Sequence, residues 1–338
     1  MTPKEAILAL TSGRDLNREE AASVMRAVMA GDATPAQIGA ILASLSMKGA
    51  RSQELAGFAG AMREFAVPFP HSLAGPFVDT CGTGGDGSGT FNVSTAAAFV
   101  VSGAGLPVVK HGNRSVTSRC GSADVLTTLG ARIEIPPDRM AGVLRATGIA
   151  FLYAPLYHPA MRRVMGVRQE LGVRTVFNLL GPLTNPAGAR IQLLGVYRPD
   201  AVLTMAEVLR LLGAERAMVV HGEGIDEITT AGPTRVAEID GDGIREYTLH
   251  PGDFGIPVSS IEDLRGGDAA ENARILREVL SGEMGAARDA VLMNAGAAIY
   301  LGGGAQSIAG GLSRAEESLD SGQALEKLGA FIDATVGA

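Results

Sequence analysis

Residues 79–95 read DTCGTGGDGSGTFNVST, and the reading of this stretch decides the fold. The apolar run Pro76-Phe77-Val78 before it has the character of a β-strand, and Ala96-Ala97-Ala98-Phe99-Val100-Val101 after it that of a buried helix. Gly82, Gly84, Gly85, Gly87 and Gly89 therefore share one strand-to-helix turn. Without Cβ atoms, successive backbone N–H groups in such a turn face one concavity, a nest for an anion. The helix beginning near Asn92 is expected to add free N–H groups and the positive end of its dipole. Ser88, Thr90, Asn92, Ser94 and Thr95 supply hydroxyl and amide groups. The expected ligand is a phosphate or pyrophosphate.

Gly82, Gly84 and Gly87 satisfy G-x-G-x-x-G, but a dinucleotide site also needs an acid about 20 residues on to hold a ribose. That position holds Val108-Val109-Lys110-His111-Gly112, with no acid. No G-K-[ST] closes the loop as a Walker A motif requires. A glycine-rich turn without a ligand is the plain alternative, and so many glycines are costly in chain entropy unless something uses them. The loop reads as a phosphate site of another class.

Outward from this loop, strands are expected at 77–80, 107–110, 150–153, 192–197 and 217–221, with helices at 94–104, 122–129, 139–147 and 201–212 between them. That alternation implies an α/β domain with a largely parallel sheet. Residues 236–239 and 245–249, joined through Asp240-Gly241-Asp242-Gly243, read as an antiparallel hairpin near an edge. The tail from Ala269 is again mostly helical. The first 70 residues show helical spacing only: 3–10; 18–30 capped by Asn17 with Glu20 at N3; 35–47 capped by Thr34; and a fourth helix capped by Ser52. Four short amphipathic helices cannot hide their apolar faces alone, so some are expected to pack on the main domain or on a second subunit. The predicted architecture is a small all-helical domain, 1–72, and a large α/β domain, 73–338, whose mainly parallel central sheet is flanked by helices.

A chain of 338 residues is long enough to bury a large core, and its 46% hydrophobic and 19% charged residues are ordinary for a soluble globular enzyme. The formal net charge of −7 argues against a nucleic-acid or membrane-surface protein. Two cysteines, Cys81 and Cys120, imply no disulfide framework and fit a reducing cytoplasm. The amino terminus, MTPKEAILAL, lacks the pattern of a signal peptide, and no apolar run approaches a membrane span.

Three further stretches carry chemistry. KHGNRSVTS at 110–118 leaves a strand, and ligands of open α/β sheets bind beyond the carboxyl ends of strands. Lys110 and Arg114 bring positive charge toward the glycine loop, Ser115, Thr117 and Ser118 add small donors, and Ser122 and Asp124 open the next helix. The segment 158–186 holds Arg162, Arg163, Arg168 and Arg174 and ends in the apolar turn Leu180-Gly181-Pro182-Leu183. A bidentate arginine beside an apolar pocket suits an aromatic carboxylate. Arg162 and Arg163 read as solvated, and Arg168 and Arg174 as the better candidates. Asp226-Glu227 follow an apolar strand, and paired carboxylates near a phosphate loop suggest Mg²⁺ bridged to substrate phosphates, with a chance surface pair as the alternative. Cys81 lies in the loop with nothing nearby to activate it, so it reads as a small buried thiol.

GTGGD at 82–86, NVST at 92–95, KHGN at 110–113, the Arg168 segment with GPLTNP at 181–186, and Asp226-Glu227 occur in this order, and the set resembles the anthranilate phosphoribosyltransferase family over essentially the whole chain. The resemblance implies transfer of the phosphoribosyl group of 5-phosphoribosyl 1-diphosphate to the amine of anthranilate, in tryptophan biosynthesis. It assigns the diphosphate substrate to Gly82, Gly85, Asp86, Thr90, Asn92 and Val93, and further to Ser94, Thr95, Lys110, Ser118 and Ser122. It gives Ser94, Asp226 and Glu227 to two Mg²⁺ ions per subunit, and Gly82, Asn113 and Arg168 to anthranilate, with His111, His158 and Pro182 lining its route. Lys110, Asn113 and Arg168 are then the catalytic positions. A homodimer through the helical domain is also implied, with helices near 162–186 joining that domain. Pyrimidine nucleoside phosphorylases share the architecture and a glycine-rich phosphate loop, but the KHGN-to-GPLTNP set argues against them. A nucleic-acid-binding relative without activity would carry a basic surface and a degraded acidic pair.

Overall fold

Four helices open the chain: α1 (Pro3–Thr11), α2 (Arg18–Ala30), α3 (Pro35–Lys48) and α4 (Ser52–Glu64). Thr2 with Glu5, Asn17 with Glu20 and Thr34 with Gln37 form capping boxes, so the first three starts are fixed within four residues of chain. The fourth start departs from expectation. Ser52 is the first helical residue, not the cap, and the buried Glu54 carboxylate accepts the Arg51 N–H at 2.8 Å and the Leu16 N–H at 3.0 Å while pairing with Lys48 at 2.9 Å. A buried, fully partnered carboxylate has displaced the serine from that task.

A computed structural model of the chain describes residues 1–338 except 72, 74, 116–118 and 242. Its seven strands are β1 (Val78–Gly82), β2 (Val108–Gly112), β3 (Ile149–Tyr153), β4 (Ile191–Gly195), β5 (Arg216–Gly222), β6 (Thr234–Asp240) and β7 (Gly243–Leu249). They form one sheet in the order β3-β2-β1-β4-β5-β6-β7. The first five are parallel and β6 and β7 antiparallel, as the sequence pattern implies. Crossovers run through α5 (Val93–Gly103), through α6 (Ser122–Thr128) and α7 (Pro137–Thr147), through α8 (Ala154–Tyr157), α9 (Arg162–Leu171) and α10 (Phe177–Leu180), and through α11 (Ala201–Leu211). The tail adds α12 (Ala269–Leu280), α13 (Ala286–Leu301), α14 (Ile308–Asp320) and α15 (Gln323–Val336). No helix among the described residues is long and apolar enough to cross a membrane.

Side chains alternate across the sheet, and the alternation divides two cores. Leu193, Met218, Val220 and Val236 face the larger one, with α5 to α7 and the tail helices. Leu194, Ala217, Val219, Ala237 and Ile239 face the other, shared with α1 to α4, α9, α10 and α11. The amino-terminal helices thus bury apolar surface against the back of the sheet through α11, and that is where much of their hydrophobic stabilisation comes from.

β1 and β4 are neighbours, with Gly82 opposite Gly195. From β1 the chain passes on to β2 and β3 on one side, and from β4 to β5 and β6 on the other. Strand order therefore reverses between β1 and β4, and the crevice at their carboxyl ends is where an open α/β sheet binds ligands.

Candidate active site

The glycine loop leaves β1 at this crevice. Gly84, Gly85, Gly87 and Gly89 all have positive φ, 66 to 80°, so the loop follows a path that side-chain-bearing residues rarely take. Asp86 braces it, its Oδ1 accepting the Ser88 N–H at 3.0 Å and its Oδ2 the Ser88 hydroxyl at 2.8 Å. The loop feeds α5 at Asn92, which stands at the N-cap position but makes no capping bond with its side chain. Instead its Nδ2 donates to the Cys120 carbonyl at 3.3 Å, and its Oδ1 accepts from Asn272 at 3.0 Å.

The α5 terminus is already engaged by the protein's own acid. The Ser94 N–H donates to Glu227 Oε1 at 3.0 Å, and the Gly84 N–H donates to Asp226 Oδ2 at 2.6 Å. The loop after β5 therefore folds back over the switch point, and glycine is what admits it. A Cβ on Gly195 would lie 1.5 Å from the Asp226 carbonyl oxygen, and one on Gly82 2.2 Å from Asp226 Oδ2. Asp226 and Glu227 are each only 8% exposed. Burial raises both carboxyl pKa values, as do Asp86 beside Asp226 and Asp226 beside Glu227, while Lys110 pulls Glu227 down. Buried carboxylates in such company want a cation, and oxygen donors of this kind suit a hard dication. Among the described residues no group of three His, Cys, Asp or Glu side chains is placed to hold a metal unaided.

Lys110, on β2, is 4% exposed and lies beneath the same terminus, donating to the Ser94 hydroxyl at 3.2 Å and to the Thr80 carbonyl. Thr95 adds a buried hydroxyl with no hydrogen-bond partner among the described residues. Together with Gly82, Asp86, Thr90 and Ser122, these groups line one wall of a single cleft. Among the described residues, the expected Val93 and His158 do not line it. Val93 sends its side chain into the core, and Ser118, with Thr117, lies outside the described residues.

The opposite wall is formed by Arg168, Phe177, Asn178, Gly181 and Pro182, with Asn113 and His111 between the walls. Arg168 is half-buried over the Phe177 ring, 5.2 Å from its centroid, and no acid pairs with it among the described residues. Arg162 and Arg163 are exposed, as expected. Arg174 is not a wall residue, because its guanidinium bonds the Gly85 carbonyl and stacks 4.8 Å from the Tyr197 ring centroid. Arg114 does reach the cleft, with its charge engaged by Asp124 at 3.1 Å. His111 and His158 are buried with ring centroids 5.1 Å apart. Burial keeps both neutral, depressing His111 to about 3 and His158 to about 4. Burial also raises the Cys81 thiol well above its ordinary value, so it is the inert thiol the sequence suggested. Phe177 and Asn178 escaped the sequence reading; the signal available was an aromatic-amide pair just ahead of the apolar turn.

A glycosyl transferase family helical bundle domain matches residues 4–66, and a glycosyl transferase family a/b domain matches residues 74–325. The chain is 54% identical to the anthranilate phosphoribosyltransferase of Methanocorpusculum labreanum over 96% of its length and 95% of that protein's. It is 53% identical to the Moorella thermoacetica enzyme of the same name, over 97% of each chain. The crystal structure of anthranilate phosphoribosyltransferase from Thermus thermophilus superposes with a TM-score of 0.93 at 46% identity, covering 98% of this chain and 99% of that one. The Saccharomyces cerevisiae enzyme in complex with PRPP and Mg superposes with a TM-score of 0.91 at 30% identity, covering 99% and 98%. Two domains matched in order, full-length identity above one half, and a cleft with a glycine-rich loop on one wall and, on the other, an arginine without an acid partner among the described residues leave one conclusion: the chain belongs to the anthranilate phosphoribosyltransferase family.

Proposed function

We propose that the protein transfers the phosphoribosyl group of 5-phosphoribosyl 1-diphosphate to the amine of anthranilate, giving N-(5-phosphoribosyl)anthranilate and pyrophosphate, in tryptophan biosynthesis. The observation that carries this reading is the two-walled cleft, with nest, lysine and buried acids facing an unpaired Arg168 beside an aromatic ring and an apolar turn. Gly82, Gly85, Asp86, Thr90, Asn92, Val93, Ser94 and Thr95 hold the diphosphate substrate through backbone N–H groups and hydroxyls, with Lys110, Ser118 and Ser122 completing the set. Ser94, Asp226 and Glu227 would hold two Mg²⁺ ions, which would neutralise charge on the diphosphate. Loss of pyrophosphate leaves positive charge on the anomeric carbon and negative charge on the leaving oxygens, and the Lys110 ammonium and the nest stabilise the latter.

Arg168 receives the anthranilate carboxylate, and Asn113 and the Gly82 backbone set the amine toward the anomeric carbon. An aniline-type nitrogen is unprotonated at neutral pH, so positioning supplies most of the rate and no strong base is needed. His111, His158 and Pro182 line the acceptor's route, and two neutral imidazoles suit an aromatic ring. The helical domain, 1–72 with helices near 162–186, pairs two subunits, supported by Leu8 on α1 and Met47 on α3, exposed to 64% and 90%. The protein works in the cytoplasm, where Cys81 and Cys120 stay reduced.

Product identification tests the reading. Mass spectrometry of a reaction with both substrates and Mg²⁺ should show phosphoribosylanthranilate and pyrophosphate in equal amounts. Pyrophosphate without the anthranilate adduct, or phosphorolysis of a pyrimidine nucleoside instead, would overturn it.

A further inference from the structure

The turn that brings Gly181 and Pro182 into the cleft is held in an unusual way. Its three successive carbonyls are each bonded by a side chain from a different element. Gln192 Nε2 on β4 donates to the Pro182 carbonyl at 2.8 Å, Arg63 Nε on α4 donates to the Leu183 carbonyl at 2.7 Å, and His158 Nε2 lies 3.0 Å from the Thr184 carbonyl. The next residue, Asn185, is tied down too, its Nδ2 donating to Asp79 Oδ2 and to the Val109 carbonyl, each at 2.9 Å. Asp79 is fully buried at the base of the glycine loop, and it also accepts from Gln192 Nε2 at 3.2 Å. The Gln192 amide therefore bridges the strand that starts the anion loop and the turn that forms the facing wall. The same nitrogen lies 3.2 Å from Cys81 Sγ, and because the Pro182 carbonyl and the Asp79 carboxylate can only accept, the amide has one sensible orientation.

We infer that Gln192 and Arg63 are positioning residues for the acceptor side of the cleft: without touching a substrate, they fix the Pro182 turn relative to the anion loop, and through Arg63 the helical domain takes part in building the acceptor pocket. Gln192 is 2% exposed and does not line the cleft, its donors are spent on Asp79, Cys81 and Pro182, and of these contacts the Pro182 one is the shortest, so its effect on the acceptor is through the turn. Losing one buried donor leaves a carbonyl unsatisfied and frees the turn to shift. The inference rests on the proposed acceptor site at Arg168 and Pro182, and the test separates the two.

Steady-state kinetics on Gln192→Met, of similar length but without donors, should show the KM for anthranilate raised about tenfold, the size of one lost hydrogen bond, with the KM for 5-phosphoribosyl 1-diphosphate within about twofold. Arg63→Met, acting from the partly exposed end of α4, should give the same split and keeps the test usable if the β4 variant misfolds. Arg63→Lys, which keeps a cationic donor, should recover much of the loss. Equal shifts in both KM values, or none, in variants with native circular dichroism would overturn the inference. Arg168→Ala is run beside them. If it raises the anthranilate KM and the other variants do not, the positioning role alone falls; if it too leaves that KM unchanged, the acceptor site falls with it.

Discussion

Replacing Gly195 with alanine tests whether the acidic pair is held in place by the close approach of backbones at the switch point. The new Cβ would stand 1.5 Å from the Asp226 carbonyl oxygen, 2.3 Å from its carbonyl carbon and 3.2 Å from its Cα. All three are main-chain atoms, so no rotamer relieves the contact. Restoring ordinary van der Waals separation needs a displacement of the Asp226 backbone of about 2 Å. A misplacement of about 1 Å at a reacting centre costs about 10²-fold, so kcat/KM should fall at least that far, about 2.7 kcal/mol of transition-state stabilisation. Gly82→Ala should do less, about tenfold, because its worst contact is the Asp226 carboxylate, which swings aside at the cost of its bond to Gly84. Gly329→Ala, on the exposed face of α15 with open space around it, is the control: activity unchanged and stability up by about 1 kcal/mol. Rates come from the loss of anthranilate fluorescence, and fold from circular dichroism and a thermal melt. A folded Gly195→Ala variant within about threefold of wild type would refute the reasoning.

Arg168→Ala should raise the anthranilate KM by about 10- to 100-fold, as expected for a lost charged hydrogen bond, and an unchanged KM in initial-rate assays at saturating diphosphate would refute its role. Asp226→Ala or Glu227→Ala should move the Mg²⁺ titration of activity to higher concentration, and a superimposable titration would count against metal binding. The folded protein keeps His158 near 4 against an ordinary 6.5, so between these values the unfolded state binds more protons and stability falls as pH falls. His158→Gln should therefore flatten the acid limb of a stability-pH curve by about 1.4 kcal/mol per pH unit in that window, and an equally steep variant curve from denaturant titrations would refute the assignment.

The parts legible in the sequence are those whose partners lie close in the chain. The Asn17 capping box and the Thr34 cap reach only three residues along the chain, and the strand-loop-helix around GTGGD is a local pattern, so their reading matches the structure. Ser52 misled because the group at the start of α4 is Glu54, whose other partners, Leu16 and Lys48, lie outside that helix. The bonds that shape the site close long loops: Gly84 to Asp226 spans 142 residues and Ser94 to Glu227 spans 133, and no spacing rule announces either. Arg168 and Arg174 look alike in sequence; only tertiary placement leaves the first unpaired in the cleft and ties the second to Gly85. Local chemistry singled out Ser94, Arg168, Arg174 and the Asp226-Glu227 pair, and the family resemblance added an expected role for Ser94, Arg168, Asp226 and Glu227. The seat of the amino-terminal helices on the back of β4 to β6 was likewise beyond periodicity, which gives a helix an apolar face without saying what covers it.

Anthranilate fluorescence, followed with the purified protein, 5-phosphoribosyl 1-diphosphate and Mg²⁺, tests the central claim most directly. The account predicts a decay that needs the protein, both substrates and Mg²⁺ together, and that EDTA abolishes. Steady fluorescence from folded protein with all components present, or a decay that EDTA leaves untouched, would contradict it.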